Sequence, residues 1–256
     1  MKSYLSIISL FIILGCGDGD QSSSRSSSDS VATTGVAGSL AQFMISGDYL
    51  YTIERNEMKL FDITSPSKPI GISRIRLPWD VETIFAYKDK LFIGGNSGMY
   101  IYDNSVPTQP TQISSFTHAR SCDPVVVSND IAYVTLNTNN NCGQTISTNR
   151  LEIVDVSNPK EPKLIRTLDM WAPSGLAIAD KTLFICDGDA GLKAFDINLT
   201  ENNGTKNIAL KSVFINTEID CYDLIAYNNN LIISNHSEIQ QLDYSSKPFE
   251  ESGSIK

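Results

Sequence analysis

The sequence predicts an all-β chain, a five-bladed β-propeller of four-stranded antiparallel blades. Three observations carry this expectation. One phrase recurs, a strand ending on Asp, then a turn and a return strand: MKLFDITSPSKPI (58–70), MYIYDNSVPTQPTQI (99–113), LEIVDVSNPKEPKLI (151–165), LKAFDI (192–197) and IQQLDYSSKPF (239–249). The closing residues Asp62, Asp103, Asp155, Asp196 and Asp243 lie 41, 52, 41 and 47 residues apart. A period of about 40–50 residues with several strands per unit is the signature of propeller blades. Between the phrases stand short alternating apolar runs bounded by turn residues, as in all-β proteins.

Each unit divides into four strands. The first reads AQFMIS, YLYTIE, MKLFDI and IGISRI; the second VETIFAY, KLFIGG, MYIYD and TQISSF; the third PVVVS, IAYVTL, LEIVDV and KLIRTL. The fourth reads GLAIAD, TLFICD, GLKAFD and IALKSVFI, and the fifth YDLIAY, LIISN, IQQLDY and a weak ESGSIK. First strands are apolar nearly throughout, as expected around a central channel, and fourth strands alternate with charge, as expected at a solvated edge. Between first and second strands stand Ser46-Gly47-Asp48, Lys88-Asp89-Lys90, Ser128-Asn129-Asp130, Asp180-Lys181 and Asn228-Asn229-Asn230. Gly, Asn and Asp tolerate the positive φ of tight hairpins. The paired prolines Pro66/Pro69, Pro107/Pro110 and Pro159/Pro162 fall between third and fourth strands, where a missing N–H is harmless at an outer rim. The long spacings come from an insertion between Asn137 and Asn149 and from a lengthened outer loop between Leu199 and Asn207. One unit cannot bury both faces of its sheet, so closure into a ring is expected.

The 256 residues are 41% hydrophobic with a net charge of −9, enough for one large core. The acidic balance argues against nucleic acid, which calls for a basic stripe. It argues equally against electrostatic docking on anionic lipid. Lys2 and the apolar run from Leu5 to Leu14 read as a signal peptide over residues 1–15, too short to span a bilayer. Ile13-Leu14-Gly15-Cys16 resembles the bacterial lipobox, which implies cleavage before Cys16 and a lipid on its thiol. Residues 16–38 then form a Ser/Gly/Asp-rich tether with little to bury, and 39–256 form the propeller.

The phrase LEIVDVSNP resembles the LVIVD repeat, found in bacterial and archaeal surface and periplasmic propellers. WDVETIFAYKDKLFIGGNSGMYIYD, RSCDPVVVSNDIAYVTL and FICDGDAGLKAFD look like lipid-anchored members of that group. The resemblance implies a fold and no established activity. The fifth unit departs most, with Gln240-Gln241 in its signature strand and no Ser-Asn-Pro turn.

Four cysteines remain after Cys16, in an oxidising compartment where pairing is expected. Cys122 and Cys142 flank the first two strands of unit three on one face and are read as a disulfide. Cys186 and Cys221, on neighbouring units, are either a second pair or two buried thiols. With two His and no Cys-x-x-Cys spacing, no metal site is assigned, and no cofactor.

The segments before each first strand converge on one face, around the channel mouth. They supply the candidate ligand-binding residues Trp79, Asp80, Glu82, His118, Arg120, Asp123, Trp171, Tyr222 and Asp223. Aromatics beside carboxylates and Arg suit a polar small molecule or a glycan. The same residues also suit ring closure, with Asp capping strand-end N–H groups and Trp filling the mouth. Asp187-Gly188-Asp189 falls short of a calcium loop and reads as a turn. His118 and Asp123 lie near Ser residues but in no nucleophile-elbow motif, so no catalytic residue is assigned. The expected function is a lipid-anchored, non-catalytic binding or scaffold module for an envelope protein or glycan. It is expected as a monomer at the outer membrane, with periplasmic or surface face open. The alternative is a glycan hydrolase or lyase using Asp80, Glu82, Asp123 or Asp223 at the mouth.

Overall fold

The computed structural model describes residues 38–79, 81–117, 124–138, 149–235, 237–245 and 249–255. The chain divides into two units; Met1–Val31 lies outside the described residues, and Ala32–Lys256 holds every blade. Blade one is β1 Phe43–Ser46, β2 Tyr49–Glu54, β3 Glu57–Asp62 and β4 Ile70–Arg76. Blade two is β5 Val81–Tyr87, β6 Lys90–Gly95, β7 Gly98–Asp103 and β8 Thr111–Thr117. Blade three is β9 Val125–Ser128, β10 Ile131–Leu136, β11 Arg150–Asp155 and β12 Lys163–Asp169. Blade four is β13 Leu176–Ala179, β14 Thr182–Cys186, β15 Leu192–Asn202 and β16 Thr205–Asn216. Blade five is β17 Asp223–Tyr227, β18 Asn230–Ser234, β19 Ile239–Asp243 and β20 Glu250–Ile255. Every sheet is an antiparallel meander of four consecutive strands, so the five-bladed expectation holds and no blade borrows a strand from another.

The closing aspartates explain why each third strand stops where it does. Asp62, Asp103, Asp155 and Asp243 each accept the backbone N–H of the residue two positions on, Thr64, Ser105, Ser157 and Ser245. These bonds and the neighbouring hydroxyls hold the Asp62, Asp103 and Asp243 carboxyls below the usual carboxylate range. At Asp155 burial pushes upward, but Ser157 and Lys206 together outweigh it and the carboxyl also sits low. Asp196 is the exception because its hairpin does not turn there. The lengthened outer loop expected over 199–207 is instead more strand, with β15 and β16 paired out to Asn202 and Thr205. Asn203 (φ 50°) and Gly204 (φ 75°) make the tip, which is the Asn-Gly preference of a two-residue hairpin. This arm folds over blade three, where Lys206 Nζ meets Asp155 Oδ1 at 3.2 Å and Ile208 is buried in the shared core. The fourth strand expected to be weak in blade five, at ESGSIK, pairs fully with β19.

Closure of the ring is where the structure departs most from the repeat pattern. Among the described residues, separate apolar clusters join blades one to two, two to three, three to four and four to five, and none joins five to one. The third residue of each second strand shows the difference. Tyr51, Phe92, Tyr133 and Phe184 are fully buried against the next blade, whereas Ile232 of blade five is 36% exposed. Four residues before each closing Asp, Met58, Met99, Leu151 and Leu192 are likewise buried, and Ile239 is 46% exposed. On the opposite wall Phe43 of blade one is 59% exposed, where Ile84, Val125, Leu176 and Leu224 are buried. Residues 38–42 span this last seam at its inner end. Ser39 Oγ donates to Asp223 Oδ1 at 3.3 Å and accepts the Leu176 N–H at 2.7 Å, and the Ile84 N–H reaches the Ala41 carbonyl.

The unpacked seam has a measurable consequence. Phe184→Ala is expected to cost about 3–5 kcal/mol. Ile232→Ala, at the equivalent position, is expected to cost about 1–2 kcal/mol, because the side chain is 36% exposed and leaves no enclosed cavity. Denaturant midpoints compare them; equal losses would mean that blades five and one pack together in solution.

Candidate functional site

The connections that enter each inner strand come to one end of the ring, as the sequence suggests. Trp79 lies between β4 and β5, Trp171 between β12 and β13, and Tyr222 between β16 and β17. All three side chains face solvent, 67%, 63% and 45% exposed. Glu82 sits half-buried within β5. Asp80, His118, Arg120, Asp123, Cys122, Cys142 and Cys16 lie outside the described residues.

Two of the exposed rings, Trp171 and Tyr222, stand on a hydrogen-bonded backbone. Asp187, fully buried at the end of β14, accepts the N–H groups of Trp171 and Ala172 at 2.9 Å each through Oδ1. Its other oxygen meets Lys193 Nζ. A single 3-10 turn, Gly188–Ala190, follows. The Asp-Gly-Asp stretch thus anchors the Trp171 connection, which its turn reading in the sequence did not reveal. Asn149 Nδ2 donates to the Trp171 carbonyl from the blade-three side. Tyr222 is held by its N–H to the Ser234 carbonyl at 2.8 Å, and its own carbonyl accepts the Gly175 N–H at 2.9 Å. Next to it, Cys221 is joined to Cys186 by a disulfide with Cα atoms 5.1 Å apart, which resolves the pairing left open by the sequence. Trp79 borders a shallow groove walled by Arg55, Arg74 and Arg76 with Glu54 and Glu57.

The centre of this face is occupied by the chain itself. The Asp223 carboxylate accepts the Ser39 hydroxyl and the N–H groups of Leu224, Leu40 and Ser39. Burial pushes its pKa up, and these bonds offset the shift only in part. Gly38 and Gly175 both press against it, and a Cβ at either would collide with the Asp223 side chain. Asp223 is thus engaged in ring closure, the structural role that the sequence could not separate from a ligand-binding one. The sequence pattern places Ala41 and Gln42 in the first strand of unit one; the strand begins instead at Phe43, and residues 38–42 serve the seam.

Residues 37–75 and 145–169 match the LVIVD repeat. No curated protein sequence matches the chain. Among solved structures, the periplasmic gluconolactonase PpgL of Pseudomonas aeruginosa is similar at 11% identity, over 82% of this chain and 67% of that one, with a TM-score of 0.60. A functionally unknown protein from Desulfotomaculum acetoxidans is similar at 13% identity, over 88% and 84%, with a TM-score of 0.62. AztD from Citrobacter koseri is similar at 10% identity, over 82% and 70%, with a TM-score of 0.51. At these identities the likeness is one of fold. Five four-stranded blades, the Asp-closed third strands and the matched segments together make the chain a five-bladed β-propeller carrying LVIVD repeats.

Proposed function

We propose that the protein is a non-catalytic binding module of the cell envelope, tethered to a membrane by a lipid on Cys16, that captures a glycan on the face bearing Trp79, Trp171 and Tyr222. The observation that carries this reading is the set of three solvent-facing aromatic rings on connections of one face. Large exposed aromatics on a rigid backbone offer flat apolar area at little entropic cost. Around Trp79 the arginines and glutamates add donors and acceptors for sugar hydroxyls and carboxylates.

The enzymatic alternative draws less support. Of its four carboxylates, Asp223 is covered by residues 38–40 and spends its oxygens on backbone and Ser39 donors. Gluconolactone chemistry belongs to the Pseudomonas protein and is not carried across a likeness of fold alone.

A glycan array and a pull-down from envelope extracts, run on wild type and on the Trp79→Ala/Trp171→Ala double variant, test the proposal. The double variant is expected to lose about 10-fold or more in affinity, as removal of two stacking rings implies. Unchanged binding would discard this face. Capture of an envelope protein through the same two residues would keep the module and replace the glycan.

A further inference from the structure

On a chain of net charge −9, one end of blade one gathers arginine. Arg55 stands on the turn between β2 and β3, Arg74 and Arg76 lie at the end of β4, and Trp79 follows on the connection to β5. Strands of the blade alternate in direction, so this turn and the end of β4 reach the same end of the ring as the inner-strand entries. Backbone bonds tie the connection to the turn on both sides of Trp79. The Leu77 N–H donates to the Asn56 carbonyl at 2.8 Å, and the Val81 N–H to the Arg55 carbonyl at 3.2 Å. Trp79 thereby borders a groove shared with Arg55, Arg74 and Arg76.

The described carboxylates of this groove are engaged, and two of its guanidinium groups are not. Lys59 meets Glu54 at 2.9 Å and Glu57 at 3.8 Å, and Arg74 meets Glu57 at 3.8 Å. The Lys59 ammonium holds the Glu54 carboxyl below its usual range, with Arg55 adding the smallest part. Neither Arg55 nor Arg76 ion-pairs with a described carboxylate, and both are exposed. Asp80 lies outside the described residues; counted in full beside Glu54 and Glu57, it still leaves three carboxylates against the four cations Arg55, Lys59, Arg74 and Arg76. Arg55 also takes a left-handed φ of 56°, at a turn position where Gly or Asn costs least. The backbone does not call for arginine there.

Guanidinium groups without a partner, beside a large exposed indole, match a ligand that joins an anionic group to a flat apolar face. Arg binds carboxylate and phosphate through two parallel N–H donors, and indole offers its ring to the apolar side. We infer that this groove binds the anionic group, carboxylate or phosphate, of an acidic sugar in the captured glycan, with Arg55 and Arg76 as its donors and Trp79 against the sugar ring. The inference rests on the glycan reading above and adds to it a subsite and a charge class.

Calorimetric titration of the folded protein with three probes tests it: a galacturonate tetrasaccharide, its neutral methyl ester, and a phosphorylated glucose tetrasaccharide. At least one acidic probe is expected to bind about 10-fold or more tightly than the methyl ester, and to weaken as salt is added. Which acidic probe binds tells carboxylate from phosphate. Arg55→Gln and Arg76→Gln are each expected to weaken that probe by about 10-fold, as loss of one hydrogen bond to a charged group implies, with unchanged melting temperatures as the folding control. Trp79→Ala is expected to weaken acidic and neutral probes alike. Lys160→Gln, which removes an exposed charge at the opposite end of the ring, is expected to match wild type. Equal affinity for acidic and neutral probes, or a loss in Lys160→Gln as large as in the arginine variants, would overturn the inference. Should neutral glycans still bind through Trp79 and Trp171 in that case, the charge class alone falls. Absence of any glycan binding by wild type removes both readings.

Discussion

Asp187→Ala is expected to lower the unfolding free energy by about 3 kcal/mol and to loosen Trp171 at the same time. Three groups depend on this carboxylate: the Trp171 N–H, the Ala172 N–H and the Lys193 ammonium. Alanine leaves two backbone donors without an acceptor and a mostly buried lysine without a partner. Removing one member of a buried charge pair typically costs about 3–5 kcal/mol. The lower end applies here, because Lys193 keeps 19% of its side chain in solvent. In a domain of this size that is a fall in melting temperature of roughly 6–12 °C. Asp187→Asn retains an oxygen for the two N–H groups but sets an amide NH2 against the Lys193 ammonium in place of its acceptor, so a fall smaller than that of Asp187→Ala is expected only in the part owed to the two backbone donors. Thermal unfolding reads the stability, and tryptophan anisotropy in a Trp79→Phe background reads the mobility of Trp171. A melting point within about 2 °C of wild type, with unchanged anisotropy, would show that Asp187 holds neither.

Breaking the Cys186–Cys221 bridge is the second large effect. The two residues are 35 apart in sequence, and closing a loop of that length is worth about 3–4 kcal/mol on the chain-entropy view. Both half-cystines lie in the core shared by blades four and five, so the Cys186→Ala/Cys221→Ala protein also loses packing there. The bridge ties the end of β14 to the residue before Tyr222, and its loss is expected to free that aromatic as well. Urea titrations with and without reductant give the stability difference. Thiol labelling of the denatured, unreduced protein is expected to find Cys186 and Cys221 unreactive. Coincident titrations and reactive thiols at both positions would remove the bridge from the account.

Both effects concern contacts that no local pattern announces. Asp187 looks like part of a hairpin turn in sequence, because Asp-Gly-Asp is turn chemistry at any position. Its bonds to Trp171 and Ala172 cross from the end of a second strand to the connection before the first. Cys186 and Cys221 stand on different repeats, and repeat spacing gives no distance between them. The insertion after Asp196 was legible as extra length; that it forms strand rather than loop followed from its Asn203-Gly204 tip, a signal present in the sequence but overshadowed by the polar run around it. The aromatic face was legible because a propeller brings every inner-strand entry to one end. Trp79, Trp171 and Tyr222 therefore share a face by topology alone.

What the amino-acid sequence by itself determined was the architecture: five units, four strands in each, and the Asp-closed turn that ends the third strand. Those features rest on interactions within two or three residues, such as Asp62 with Thr64 or the positive φ of Asn129 and Asp130, and local chemistry is written locally. Only the tertiary structure decided how the ring ends meet. Blades one and five carry apolar residues at the same repeat positions as their neighbours, yet Phe43, Ile232 and Ile239 stay exposed, while Ser39 and Asp223, 184 residues apart, join across the centre. Repetition specifies how each unit packs on the next. It contains no instruction for the last unit and the first, because their contact depends on the summed angle of all the blades between them.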